Sequence, residues 1–165
     1  MQRSILLISL FSAPLVSQPN VIIILTDDLG WGDVSYHGGH IPTPNMDDLA
    51  SKGLELNRFY ANPVCSTTRA SLLTGIHIFN HGVLRPFQNP TAEHFGLSPD
   101  LQIMPQYFRE AGYQTALSGQ WHVGVHDDAF CPTNRGFETR YGPMLGCSGH
   151  FVHVASWRLR QHVHA

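Results

Sequence analysis

Charge is what this sequence has least of. Asp, Glu, Lys and Arg make up 13% of its 165 residues, about half the share usual in soluble domains, and Lys52 is the only lysine. With a formal net charge of -2, the chain offers no basic face for nucleic acid or another polyanion. No apolar run approaches the roughly 18 residues that a membrane span needs. Cysteine is scarce too: Cys65, Cys131 and Cys147. An odd number leaves at least one thiol without a partner in the chain. Cys131 and Cys147 could pair with each other or with cysteines elsewhere, which leaves Cys65 available for chemistry. Internal repeats and low-complexity segments are absent. What remains is ordinary for a globular chain: 42% hydrophobic residues and enough length for one modest core. The 11 histidines make the charge sensitive to pH near neutrality.

The first residues have the make-up of a signal peptide, with Arg3 as the positive end, Ile5 to Phe11 as the apolar stretch, and small residues Ser12, Ala13 and Ser17 after it. Residues 1–17 are therefore expected to be removed on entry to the secretory pathway, leaving no membrane span; a buried first strand or helix is the other reading. Residues 18–153 form the expected domain. Residues 154–165 show neither period nor cap and have no evident place on a core.

Val21 to Leu25 is an unbroken β-branched and apolar run, which predicts a strand buried on both faces of a parallel sheet. Asp27 and Asp28 follow at its carboxyl end, where open α/β sheets bind ligands. Thr43-Pro44 predicts a helix start, Met46, Leu49 and Ala50 its apolar stripe, and Gly53 its end. Leu54 to Tyr60 alternates and predicts a second strand. Cys65 falls in the loop that leads into a helix over Ala70 to Thr74. Pro105 to Ala111, closed by Gly112, predicts another helix, and Tyr113 to Leu117 a third strand. This order implies an α/β layered fold.

Two adjacent carboxylates repel, so Asp27-Asp28 suits a hard cation such as Ca²⁺ or Mg²⁺; Asp-Asp-Leu-Gly is equally plausible turn chemistry. Cys65 stands where helical N–H groups and the positive end of the dipole stabilise an anion. Arg69, four residues on, lies on the same helical face. A free buried cysteine beside a solvent-facing arginine is the plainer alternative.

Taken in order, these segments resemble the sulfatase family. Pro19 to Asp33, with Asp27-Asp28 inside it, is similar to that family's opening strand, and Thr43 to Asp47 with Leu49-Ala50 to its first helix. Cys65-Ser66-Thr67-Thr68-Arg69, followed by Ala70 to Gly75, resembles the signature C-x-P-x-R. Gly119-Gln120-Trp121-His122-Val123-Gly124 resembles G-K-W-H-L-G, and Asn134 to Glu138 with Tyr141-Gly142 a later block. The style is closest to the arylsulfatase B-like branch, which acts on N-acetylgalactosamine 4-sulfate. The resemblance runs from Pro19 to about Phe151. It implies an α/β fold, the alkaline-phosphatase-like sulfatase sheet with flanking helices, incomplete in this chain because the family's later Asp-Asn ligands, second histidine and second lysine have no counterpart here.

The resemblance further implies a mechanism. Cys65 is converted to formylglycine by the formylglycine-generating enzyme, and its hydrate attacks the sulfur of a sulfate ester. The alcohol leaves, and the remaining hydroxyl expels sulfate. Asp27, Asp28 and the group at Cys65 hold one Ca²⁺, Arg69 stabilises the nucleophile, His122 acts as a base, and Gln120 contacts the substrate. A plain core or surface histidine is the alternative for His122. The expected substrate is a sulfated small molecule or glycan, and the expected location lysosomal or extracellular. Two departures stand out: Thr67 where the signature has proline, and Gln120 where the family has lysine. They motivate a second reading, an inactive relative that binds sulfated glycan or a partner. A third, phosphoryl transfer on the same sheet, is disfavoured by a cysteine in place of a hydroxyl nucleophile.

Overall fold

The computed structural model describes residues 18–86 and 95–146. The expected signal segment 1–17, Cys147 and the tail 154–165 lie outside the described residues. The chain divides into two units, one ending at Ser51 and the other beginning at Lys52.

In the first unit, Val21 to Leu25 is not a strand. It makes no ladder among the described residues, and its side chains are exposed, Ile22 by 84%. An apolar run becomes a strand only when a neighbour takes its N–H and C=O groups, and no described segment does so here. Two short 3₁₀ turns follow, Trp31–Asp33 and Ser35–His37. The Gly30 N–H donates to Asp33 Oδ2 at 2.6 Å, and the Trp31 and His37 rings stack at 3.6 Å. Helix α1, Pro44–Lys52, begins where Thr43-Pro44 predicts. The Thr43 carbonyl accepts from Met46 and Asp47 N–H. Its hydroxyl does not cap the helix: it accepts from Ser35 N–H at 2.9 Å and donates to Asp47 Oδ1 at 2.9 Å. Asp47 also accepts from the Ser35 hydroxyl at 2.7 Å, so one carboxylate ties the 3₁₀ turn to the start of α1. The predicted stripe of α1 is not buried, and Leu49 is 65% exposed.

The second unit holds α2 (Cys65–Thr74), α3 (Ile78–His81), α4 (Met104–Glu110), β1 (Ala116–Ser118) and β2 (Thr139–Tyr141). Leu54 to Tyr60, read as a strand, is irregular and exposed, again without a ladder partner among the described residues. Helix α2 starts earlier than the sequence suggests: Cys65 is its first residue rather than part of the preceding loop. The Thr67 hydroxyl donates to the Val64 carbonyl at 2.8 Å, which holds the first turn together. Gly75, in the left-handed region at φ 68°, closes the helix through its N–H to the Ser71 carbonyl. Helix α4 carries Pro105 in its first turn, and its Gln106 side chain accepts from Ile103 N–H at 2.8 Å.

Strands β1 and β2 pair in parallel, with Ala116 opposite Thr139, Leu117 opposite Arg140 and Ser118 opposite Tyr141. Parallel pairing requires a long crossover; residues 119–138 supply it, with 3₁₀ turns at Asp128–Phe130 and Pro132–Asn134. The pairing continues past the strands: Gly119, Trp121 and His122 N–H donate to the carbonyls of Tyr141, Pro143 and Met144. The core comprises Ala70, Leu73, Val83, Leu97, Ile103, Trp121, Val123 and Phe137. Val83, Leu97 and Ile103 are fully buried, each contributing about 1.5–3 kcal/mol as an upper estimate. Trp121 meets Phe137 edge-on at 6.1 Å and donates Nε1–H to the carbonyls of Gly124 and Phe130. The architecture is a partial α/β fold, with helices beside a small parallel sheet.

Candidate active site

Local sequence places Cys65 and Arg69 one turn apart on α2. The continuation of β1 then brings residues 120–122 against that face. The Cys65 Sγ lies 3.0 Å from His122 Nδ1, and Arg69 donates Nη1–H to the Gln120 carbonyl at 2.8 Å. Gln120 Nε2 is 3.3 Å from the same His122 Nδ1 and donates to the Gly146 carbonyl at 3.0 Å. Four expected site residues, Cys65, Arg69, Gln120 and His122, therefore meet at the carboxyl end of β1, where α/β sheets place their ligands. Cys65 is half-buried and His122 is 3% exposed.

His122 adopts φ 57°, a left-handed conformation uncommon for a residue with a side chain. Its N–H bond to Met144 and the approach of Gly146 hold it there. A Cβ on Gly146 would overlap the His122 ring, so only glycine fits beside it. Such strain is retained where the surroundings fix it, and it sits here at the contact with Cys65.

Asp27 and Asp28 belong to the first unit. They form an exposed bend after the apolar run, Asp28 at φ 56°, a region that aspartate tolerates better than most residues. Neither carboxylate has a hydrogen-bond or ion-pair partner among the described residues. Their hard oxygens suit Ca²⁺ in kind. Two carboxylates offer at most four of the six to eight oxygens that the ion takes, and no group of three or more His, Cys, Asp or Glu is placed to share an ion among the described residues.

Sequence reasoning missed a second network behind α2. Asn62 Nδ2 donates to the Thr67 carbonyl and to Ser71 Oγ, while its carbonyl accepts from Thr68 Oγ1. Ser71 Oγ lies 2.9 Å from His81 Nε2, and His81 Nδ1 accepts from Val83 N–H at 3.1 Å. This anchors the helix that carries Cys65 to α3. Burial, joined by the charge of nearby His77 and opposed by a backbone hydrogen bond, lowers the His81 pKa. No local pattern marks His81 out from ten other histidines. Buried Arg135 was also missed. Cys131 carries a free thiol, its pKa raised mainly by burial.

The family model described as Sulfatase matches residues 19–146. Arylsulfatase J of Mus musculus is 39% identical over 137 residues, covering 83% of this chain and 23% of the relative. N-acetylgalactosamine-6-sulfatase of Homo sapiens is 37% identical over 132 residues, covering 75% of this chain and 25% of the relative. Among solved structures, that of Ps i-CgsB superposes with a TM-score of 0.69 at 37% identity, over 78% of this chain and 28% of that one. The same protein has also been solved in complex with k-i-k-neocarrahexaose. PsFucS1 sulfatase from Pseudoalteromonas sp. gives a TM-score of 0.57 at 39% identity, over 72% of this chain and 24% of that one. The chain spans about a quarter of the length of these relatives.

Proposed function

Because the chain belongs to the sulfatase family, we propose that it carries the nucleophile segment of a sulfuric ester hydrolase, with residue 65 as the attacking group after conversion of Cys65 to formylglycine. The observation that carries the reading is the 3.0 Å contact between Cys65 Sγ and His122 Nδ1, made across 57 positions of sequence. A nucleophile needs a base within hydrogen-bond reach, and the thiol marks where the modified side chain begins.

His122 takes a proton from the group at residue 65 and returns it during turnover. Arg69 keeps a cation beside that group, its position fixed by the Gln120 carbonyl. The carboxylates of Asp27 and Asp28 would supply hard oxygens to a Ca²⁺ ion, which needs further oxygens to complete its shell. A bound Ca²⁺ supplies a fixed positive charge that polarises sulfate oxygens. Gln120 is a neutral amide whose NH₂ group meets the Gly146 carbonyl and His122 Nδ1, so the sulfate meets less positive charge here than a lysine would provide. At an effective dielectric near 20, a charge about 4 Å away contributes on the order of 4 kcal/mol, a large share of which the amide forgoes.

The substrate is a sulfated small molecule or glycan. Its saccharide class is suggested by the names of the relatives and by the saccharide held by Ps i-CgsB. Conversion of Cys65 requires the formylglycine-generating enzyme and so a route through the secretory pathway, to lysosome or extracellular space. Among the described residues no helix is long and apolar enough to cross a membrane.

The test is sulfate release from a chromogenic aryl sulfate and from a sulfated amino sugar, by protein expressed through the secretory pathway and loaded with calcium. Turnover that disappears in Cys65→Ala and on chelation is the expected result. No turnover by converted, calcium-loaded protein overturns the reading; saturable binding of the sulfated sugar without hydrolysis then supports the inactive-relative alternative. Hydrolysis of a phosphate ester alone points to phosphoryl transfer.

A further inference from the structure

We propose that Gln120 is a positioning residue that sets the tautomer of His122, keeping Nδ1 bare toward residue 65 and the ring hydrogen on Nε2. For its catalytic consequence this rests on the sulfatase reading; for the tautomer itself it rests on geometry alone.

The Gly146 carbonyl lies 3.0 Å from Gln120 Nε2. A carbonyl oxygen only accepts, so the amide end that faces it must be the NH₂. Turning the amide over would set Oε1 against the carbonyl, oxygen to oxygen. Either orientation leaves the opposite atom in the same buried place, where Oε1 now has no hydrogen-bond partner among the described residues. The flip gains nothing there and adds a repulsion, so the Gly146 contact decides the orientation.

The NH₂ group has a second hydrogen, and His122 Nδ1 lies 3.3 Å from Nε2. A ring nitrogen that already carries hydrogen cannot accept another. Nδ1 is therefore the acceptor, and the neutral ring holds its hydrogen on Nε2. Cys65 Sγ lies 3.0 Å from the same nitrogen and, as a thiol, shares its lone pair as a second donor. Toward residue 65 the imidazole is thus a base from the outset. Nδ1 is therefore the ring atom able to accept the proton of the residue-65 group.

The ring cannot escape by rotating. The backbone of His122 is pinned at φ 57° by its N–H bond to Met144, and Gly146 packs directly on the ring face. One side chain thus links the continuation of β1, the segment after β2 and the face of α2 that bears the nucleophile.

Long-range proton–nitrogen NMR on the full chain with ¹⁵N-labelled histidine, near neutral pH, reads the tautomer directly. The His122 signals are assigned by their loss in His122→Gln. The wild type is expected to show Nε2–H. Gln120→Lys keeps a donor beside Nδ1 and is expected to keep that tautomer. Gln120→Glu offers only an acceptor and is expected to move hydrogen onto Nδ1. A merely structural role for Gln120 would not distinguish lysine from glutamate in this way. Nδ1–H in the wild type overturns the proposal, as does the same tautomer in all three proteins. If a variant fails to fold, the wild-type spectrum alone decides. None of these readings needs turnover. An Nε2–H ring in a converted protein that hydrolyses no sulfate ester therefore refutes the sulfatase reading while leaving the tautomer assignment standing.

Discussion

Replacing Arg135 with leucine is expected to remove a large fraction of the stability of the second unit. The residue is 2% exposed. Its guanidinium donates to three carbonyls of the segment that precedes α4: Nη1 to Leu97 at 2.9 Å, and Nη2 to Ser98 at 3.2 Å and to Leu101 at 3.0 Å. Burial lowers its pKa, yet an arginine stays charged at any working pH. Hydrogen bonds to a charged group contribute about 1.5–3 kcal/mol each, so three give a gross value of roughly 4.5–9 kcal/mol. Against this, desolvating the cation costs several kcal/mol, and leucine recovers that cost. The acceptors decide the sign. They are backbone carbonyls that no side-chain substitution removes; that of Ser98 still accepts from Leu101 N–H, while those of Leu97 and Leu101 lose the guanidinium at about 1–3 kcal/mol each where they are buried. The net loss should be about 3–5 kcal/mol, as when one partner of a buried polar pair is deleted. With a urea slope near 2 kcal/mol/M, the midpoint should fall by about 2 M. Urea unfolding followed by tryptophan fluorescence measures this, since Trp121 packs on Phe137, two residues from Arg135. Arg135→Lys keeps the charge without the planar fork and should fall between. An Arg135→Leu midpoint equal to that of the wild type would refute the reasoning.

The remaining predictions concern smaller parts of the same unit. His81 has its pKa lowered mainly by burial, so below about pH 6.5 the unfolded chain takes up a proton that the folded chain resists. Its contribution to stability is full above that pH and is lost as pH falls toward the folded pKa; comparing wild type with His81→Gln at about pH 7.5 and about pH 5.5 should show a steeper acid loss in the wild type. Thr115→Val removes the bond from Oγ1 to the Gly136 carbonyl at 2.6 Å, together with the longer of two acceptors for Glu138 N–H, whose bond to the Thr115 carbonyl remains. A loss of about 1–3 kcal/mol is expected in the same urea assay. Gly136→Ala forces φ 97° on a residue whose new Cβ would stand 2.7 Å from Gln106 N. It should lower the thermal midpoint, because the backbone of α4 cannot give way as a flexible side chain would.

Helices proved more legible in the sequence than strands, for a physical reason. The starts at Thr43-Pro44 and Pro105 and the stops at Gly53 and Gly112 are local chemistry, and the structure places α1 and α4 accordingly, while α2 begins five residues earlier than the sequence suggests. A strand is a relation between segments. Val21 to Leu25 and Leu54 to Tyr60 have strand composition but no ladder among the described residues. Thr139 to Tyr141, with no special composition, is a strand because β1 lies beside it. Tyr113 to Leu117 shows both effects, since only Ala116–Ser118 reaches a partner. The site divides in the same way. Cys65 and Arg69 share a face because helical spacing dictates it, and His122 was legible through the resemblance of Gly119 to Gly124 to a family segment, whereas its positive φ was not. The orientation of the Gln120 amide was not, because Gly146, far along the chain, sets it. Arg135 and His81 escaped notice because burial alone distinguishes them. The pairing of Cys131 with Cys147 finds no support in the structure, where Cys131 is a free thiol and Cys147 lies outside the described residues.

The chemical state of residue 65 is the most direct test of the account. Mass spectrometry of the tryptic peptide from Phe59 to Arg69, taken from protein expressed through the secretory pathway, reads it. The account predicts a peptide in which the thiol of Cys65 has been replaced by an aldehyde, trapped by a hydrazine reagent. A peptide that carries only the intact thiol, despite an active formylglycine-generating enzyme in the same cells, would contradict it.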